Sequence, residues 1–365
     1  DKNMLEPVYA LEAKGGSLNG ILIIYGKDDP VYNADMVKRI SKIRGKITET
    51  YVVKDAKKST TFAIDKEAYL RFFALLILFQ ISVVNGQNDS ANYSLRKTIA
   101  ISSSVAAYGG SLTGLYFLWY SDYSSGAFHS FNDNKEWLGI DKVGHGTTAF
   151  HVARVQSDIF RWSGMPDKKS VLWGSGISLA FLSTIEIFDG FSDGWGFSPG
   201  DMLANISGVS LFATQELFLK ERPVNIKFSM RPSKYADYNP ELLGENFIQQ
   251  TLKDYNGQTY WLSFNIASCL KPESNFPDWL CLDLGYGADG MIGATSNPDE
   301  INGNVVPNFK RYPQFYLSPD IDFSKINIRN PWLAFLVKGL NFIKIPAPAL
   351  EWNRENGMKF HALYF

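Results

Sequence analysis

From about residue 225 to the carboxyl terminus, apolar and polar residues alternate in short, aromatic-rich runs. These are IKFSMR, TYWLSFNIASCL, WLCLDLGYGADG, QFYLSPDIDF, LNFIKI and GMKFHALYF, separated by Pro, Asn and Gly. A period of two bounded by turn formers predicts antiparallel strands. Upstream, apolar residues recur at helical spacing over residues 142–162, 170–189 and 201–220, each stretch ending at Gly, Pro or acidic residues. SPGD before Met202 reads as a helix start with Asp201 as the cap, and KERP as a stop. A fourth stretch, Thr98 to Tyr120, has no charged residue, is long enough to cross a membrane, and carries Gly110 and Gly114 on a face suited to close helix packing. The expected fold class is α+β. A small, partly membrane-associated bundle of about four helices over residues 88–224 precedes an antiparallel, barrel-like β region over 225–365.

The first part of the chain has a different texture. GILIIYGKDDPVYNADMVKRI reads as a strand, a polar turn and an amphipathic helix, and ETYVVKDA as a second strand. Residues 1–67 are thus a small α/β segment. Arg71 then precedes an apolar run from Phe72 to Val84, and Val84 and Gly86 stand three residues and one residue before a cleavage point at Gln87. A basic start, an apolar middle and a small-residue exit are the physics of a secretory signal, here over residues 68–87. On that reading the mature chain begins near Gln87, without residues 1–67.

Charge changes the picture little. The formal net charge of -1 gives no reason to expect nucleic acid as a partner. Aromatic residues make up 15% of the chain, and Trp and Tyr recur near the ends of apolar runs, as at a membrane interface. The chain ends on Phe365 after Phe360 and Tyr364, as strands of outer-membrane barrels do. Cys269 and Cys281 are expected on neighbouring strands, and an oxidising compartment would permit a disulfide between them.

Candidate chemistry lies in the helical third. Asp141 and His145 share a helix face at i, i+4; Glu186 and Asp189 stand at i, i+3; Asp201 and Asn205 share a face at i, i+4, with Gly208 following at a close-packing position. Burying an unpaired carboxylate costs several kcal/mol, so these groups should meet one another or an ion. Three arrangements satisfy that demand. One is a hydrogen-bonded network neutralised by Lys142 or Arg154. Another is a divalent-cation site for Mg or Ca, or for Mn or Zn with His145. The third is an acid–base site, with His145 carrying protons and Glu186 or Asp201 orienting it. Asp193 reads as a turn residue, His151 lies off the His145 face, and His129 and His361 show no evident partners.

DKVGH followed by EIFDGFSDGWGFSPGDMLANISG resembles the YfiM-like family of bacterial envelope proteins, described as periplasmic lipoproteins, and the β region resembles its longer members. The order DK-x-x-H, E, D-x-x-x-N-x-x-G is also similar to that of VanZ-like membrane proteins and covers Asp141, Lys142, His145, Glu186, Asp201, Asn205 and Gly208. No Cys follows the apolar run of the signal, which departs from the lipoprotein pattern. The resemblance implies a place in the cell envelope of a Gram-negative bacterium, at the outer membrane or in the periplasm, with membrane lipid and other envelope proteins as partners. It supplies no activity. The expected role is structural or within an assembly, with an enzyme acting on an envelope lipid or glycan as the alternative.

Overall fold

A computed structural model of the chain describes residues 21–26, 47–53, 93–116, 120, 125–219, 222–270 and 275–365. The expected signal segment lies outside these residues. The chain divides into two compact units, Asp1–Asn88 and Asp89–Phe365, so helices and β region share the second unit. In the first unit, β1 (Ile21–Gly26) pairs in parallel with β2 (Ile47–Val53). These are the two strands expected there.

The helices of the second unit are α1 (Tyr93–Leu115), α2 (Ile140–Trp162), α3 (Asp167–Phe191) and α4 (Pro199–Thr214), the last continuing into a π-helical turn, Gln215–Leu219. Their central element is α2, which packs against both α3 and α4. Ala149, Phe150 and Ala153 of α2 meet Val171 and Leu182 of α3 and Val209 and Phe212 of α4. Phe150 and Phe212 are fully buried, each contributing roughly 1.5–3 kcal/mol relative to exposure. The helices can come this close because the crossings are made by glycine. A Cβ on Gly208 of α4 would stand 2.0 Å from the carbonyl oxygen of Gly146 on α2. Helix α1 rests on α2 and α3 through contacts such as Ser104 Oγ to Gln156 Oε1 at 2.7 Å and the Tyr108 hydroxyl with Thr184 Oγ1 at 2.7 Å. Among the described residues, the helical stretches long and apolar enough to cross a membrane, by length and composition, are α3 and the Pro199–Leu219 segment; the expected Thr98–Tyr120 stretch lies partly outside those residues.

Beyond the helices come β3 (Val224–Met230), α5 (Pro240–Leu243), α6 (Phe247–Lys253), β4 (Gln258–Asn265), β5 (Leu280–Asp289), the short β6 (Glu300–Ile301) and β7 (Asn304–Val305), β8 (Tyr312–Ile321), α7 (Pro331–Gly339), β9 (Ala347–Asn353) and β10 (Gly357–Tyr364). Six of these strands form one antiparallel sheet in the order β10-β9-β8-β5-β4-β3. The sheet is not closed into a barrel, because its end strands β3 and β10 do not pair with each other. It is nonetheless strongly curled: Tyr364 of β10 reaches across to hydrogen-bond Thr259 of β4 at 3.0 Å and packs on Tyr316 of β8 at 4.5 Å between ring centres. The LNFIKI stretch forms a 3-10 turn and a single bridge from Ile343 to Phe228 instead of a strand. Strand β9 takes its place, from a sequence whose prolines hide the alternation.

Alternation holds along β4, β5, β8 and β9, but its sense is inverted. The buried face carries Lys227, Ser263, Asp283, Asp320 and Glu351. The outward face carries Leu262, Leu284, Leu317 and Leu350, all more than a third exposed. On the inner face, Lys227 Nζ lies 2.8 Å from Asp320 Oδ2, with both side chains fully buried. Cys281 also points inward, as a free, buried thiol. The expected bridge to Cys269 is therefore not formed. Cys281 is paired across the sheet with Asn265, the last residue of β4, whereas Cys269 lies beyond that strand in the 3-10 turn Ala267–Cys269.

Candidate functional site

Two helix amino termini and one helix carboxyl terminus converge. Helix α2 brings Asp141, Lys142 and His145, α3 brings Glu186 near its end, and α4 brings Asp201 and Asn205. The entry to α2 is strained. Trp137 and Leu138 have φ of 48° and 53°, a left-handed conformation that L side chains adopt at a cost of roughly 1–2 kcal/mol each. It is held by the Trp137 amide donating to the Ala294 carbonyl at 2.8 Å and by the Tyr286 hydroxyl donating to the Leu138 carbonyl at 2.5 Å. These contacts fix where Asp141 enters the site.

Helix α4 begins at Ser198, with Pro199 at its first position. The Ser198 hydroxyl, rather than Asp201, is the cap, accepting the Asp201 amide at 3.0 Å. The Asp201 carboxylate is thereby left for the site. Ser198 also donates its hydroxyl to Asp133 Oδ1 at 2.7 Å and its amide to Glu186 Oε2 at 3.1 Å. One residue thus ties the cap to two carboxylates.

Lys142 is the cation of the cluster. Its Nζ lies 2.8 Å from both Asp133 Oδ1 and Asp201 Oδ1, and 3.3 Å from Asp141 Oδ2. His145 stands between the two ends of the site. Its Nδ1 is 3.3 Å from Asn205 Oδ1 and 3.6 Å from Glu186 Oε1; its Nε2 is 3.9 Å from Asp141 Oδ1 and 4.0 Å from Asp201 Oδ1. The ring is therefore surrounded by oxygens and is hydrogen-bonded through Nδ1 to Asn205 Oδ1. Access is graded: the side chain of Glu186 is 1% exposed, while those of His145 and Asp141 are 20% and 21% exposed. The Tyr255 hydroxyl donates to Asp141 Oδ1 at 2.8 Å.

Electrostatics follow from this burial. Loss of water pushes the Glu186 carboxyl up to about 8, with nearby Asp201 adding to the rise and His145 opposing it. Burial likewise raises Asp201 to about 6. For His145, burial works against the charged ring, but Asp141, Asp201 and Glu186 outweigh it and raise its affinity for a proton. Burial works against the Lys142 ammonium too, and its carboxylate partners again prevail and raise it.

Five of the six residues singled out from the sequence, Asp141, His145, Glu186, Asp201 and Asn205, thus meet. Asp189 turns aside and accepts the Tyr120 hydroxyl at 2.6 Å. Arg154, a candidate neutralising cation, approaches Asp158 at 4.0 Å instead. Asp133, Ser198 and Tyr255 were not expected. The only local cue was Ser198 ahead of Pro199, a cap signature. The remaining histidines do have partners: His151 Nε2 meets the Ile226 carbonyl, His129 Nε2 the Trp195 carbonyl, and His361 Nε2 the Glu351 carboxylate.

Asp141, His145 and Asp201 offer ligand atoms all within 4.8 Å of one another, a spacing that could close around a divalent ion. Lys142 argues against one, because its ammonium already lies 2.8 Å from the Asp201 oxygen. Among the described residues, Glu186 Oε1 and Asn205 Nδ2 are buried without a hydrogen bond. Both groups belong to side chains that face the His145 ring.

No curated protein and no solved structure matches the chain. Residues 129–217, which contain every member of the cluster except Tyr255, match the model of a family described as predicted periplasmic lipoprotein (DUF2279), and this supports an exported protein of the cell envelope.

Proposed function

We propose that the cluster is an acid–base site serving chemistry on an envelope lipid or glycan. The observation that carries this reading is the placement of His145. One ring nitrogen faces the sealed Glu186, and the other faces the half-open Asp141. Glu186, held near 8, keeps a proton at neutral pH. The His145 ring, whose Nδ1 donates to Asn205 Oδ1, can take up a proton at Nε2 and release it there, as a general base and then a general acid. Lys142 and Tyr255 position the carboxylates at the mouth.

A purely structural network would be expected to satisfy its buried groups, since each one left without a partner costs about 1–3 kcal/mol. Glu186 Oε1 and Asn205 Nδ2 are not satisfied. Buried carboxylate oxygens of Asp283 and Asp322 in the sheet region share that state, so what sets the cluster apart is that both its groups face the His145 ring. The VanZ-like order of DK-x-x-H, E and D-x-x-x-N-x-x-G belongs to the same reading, since it names the residues that converge.

Two variants test it, Glu186→Gln and His145→Gln, compared with a deletion strain. Both should fold and reach the envelope yet fail to restore the deletion phenotype, consistent with a general acid–base contribution of about 10²–10⁴ in rate. Full restoration by Glu186→Gln would show that the carboxyl proton does no chemistry. Loss of a stoichiometric divalent ion from that variant would turn the assignment to a metal site.

A further inference from the structure

The outward face of the sheet is ordered: its end nearest the helices packs on the core through Tyr260 and Tyr286, and most of the rest is exposed. Across the strands, residues in register form rows. One row is aromatic: Phe228, Tyr260, Tyr286, Phe315 and Trp352 are consecutive cross-strand partners. Three neighbouring pairs of rings touch, with centres 5.3 Å apart for Phe228 and Tyr260, 5.4 Å for Tyr286 and Phe315, and 5.7 Å for Phe315 and Trp352. Two residues further along the strands lies a row of leucines, Leu262, Leu284, Leu317 and Leu350. The next row holds Phe264, Leu282 and Pro319. No charged or amide side chain interrupts these three rows, and the buried charges are all on the other face.

We infer that the exposed part of this face lies against the acyl chains of an envelope membrane, with Phe315 and Trp352, the uncovered end of the aromatic row, at the headgroup boundary. An aromatic girdle bordering an aliphatic band, over strands whose other face is polar, is the surface that hydrocarbon requires of a sheet. A protein partner would be met by a patch with a polar rim, and water by the opposite alternation. From Tyr286 to Leu280 the apolar side of β5 extends about 20 Å at ~3.3 Å per residue, enough to pass through one leaflet. The site described above lies at the aromatic end. Tyr286 hydroxyl-bonds Leu138 just before Asp141, and a Cβ on Gly144 would stand 2.9 Å from the Tyr260 hydroxyl. The membrane assignment does not depend on the acid–base reading; it depends on the rows alone.

The test is flotation of the full chain with vesicles of phosphatidylethanolamine and phosphatidylglycerol. Wild-type protein and Leu317→Phe should float. Leu284→Arg/Leu317→Arg should float about tenfold less, because arginine is strongly disfavoured on a lipid-facing strand. Val305→Arg, a change at an exposed position of β7 outside the sheet, should float like wild type. A second arm needs no charged variant. Vesicles with brominated acyl chains should quench the part of the emission that Trp352→Phe removes. Undiminished flotation of the double-arginine variant, or unquenched Trp352, overturns the inference. So does a detergent-free, vesicle-indifferent wild type of doubled mass, which would give the face to a second copy of the chain.

Discussion

Glu186 is the residue whose chemistry is most altered by its surroundings. In the folded chain its carboxyl is held near 8, against 4.5 in the absence of burial. Between those values the folded state binds more protons than the unfolded one, so this group lowers stability as pH rises. His145, raised by its carboxylate neighbours, acts in the same sense, its contribution being lost as pH rises through its elevated value. Asp201, raised by burial to about 6, does likewise over the lower part of the range. Asp133, lowered by Lys142 against the effect of burial, opposes the trend at acid pH, and His151, lowered to about 4 by burial, opposes it up to about pH 6.5. Unfolding free energy should therefore fall from about pH 6.5 to about pH 9, and Glu186→Gln should flatten that fall by on the order of a few kcal/mol. Urea titrations of both proteins across the range decide it. An unchanged slope would mean that Glu186 ionises in the fold as it does in water. At this scale the sequence was informative: the i, i+4 pairs on apolar helices marked Asp141, His145, Asp201 and Asn205. It was silent on Asp133 and Tyr255, which lie in loops and at strand ends with no periodicity to betray a facing direction.

Helix crossings decide whether those pairs meet. Helices α2 and α4 cross where Gly208 faces the Gly146 carbonyl, and this crossing brings Asn205 onto His145. A methyl at Gly208, 2.0 Å from a backbone oxygen, has no room without separating the helices. Gly208→Ala should thus destabilise by about 1–3 kcal/mol or more, the range for overpacking, and disturb the cluster too. Gly176 on α3 has nothing within 4 Å of its would-be Cβ, so Gly176→Ala should be neutral or stabilising by roughly 0.5–1 kcal/mol. Thermal unfolding of the pair separates a packing requirement from a general property of helical glycine. The sequence signalled Gly208 through its spacing after Asp201 and Asn205, and the structure explains that spacing. It also moved the cap one turn back, to Ser198, because a proline at the first helical position makes the preceding residue the boundary.

At the scale of the whole molecule, the sheet buries charge and exposes aliphatic surface. Lys227 and Asp320 form a fully enclosed pair, and Lys227 also donates to the Ile321 carbonyl at 2.6 Å. Lys227→Met would leave Asp320 buried with only the more distant Lys344, 3.8 Å away. The expected cost is about 3–5 kcal/mol, measured by chemical denaturation in detergent, and the double change Lys227→Met/Asp320→Leu should recover much of it. A small effect of the single change would mean that water reaches the inner face.

Sequence alone determined the α+β class, the helices near their observed bounds, most of the strands and the polar pairs, because each follows from a spacing of 3.6 or 2 residues that the chain carries locally. It could not determine which side of the sheet is inside. Strict alternation marks two faces and is symmetric between them, so only the curling of six strands around Lys227, Asp283 and Asp320 makes the polar side the interior. Nor could it determine whether the sheet closes, since that depends on how the end strands meet, or whether Cys269 and Cys281 face each other, since that depends on where β4 ends. The same holds for the candidate site. His145 and Asn205 are 60 positions apart, and Tyr255 and Asp141 are 114 apart. Such contacts are made by helix crossings and chain returns, whose closure free energy belongs to the whole fold and leaves no periodic trace in any one segment.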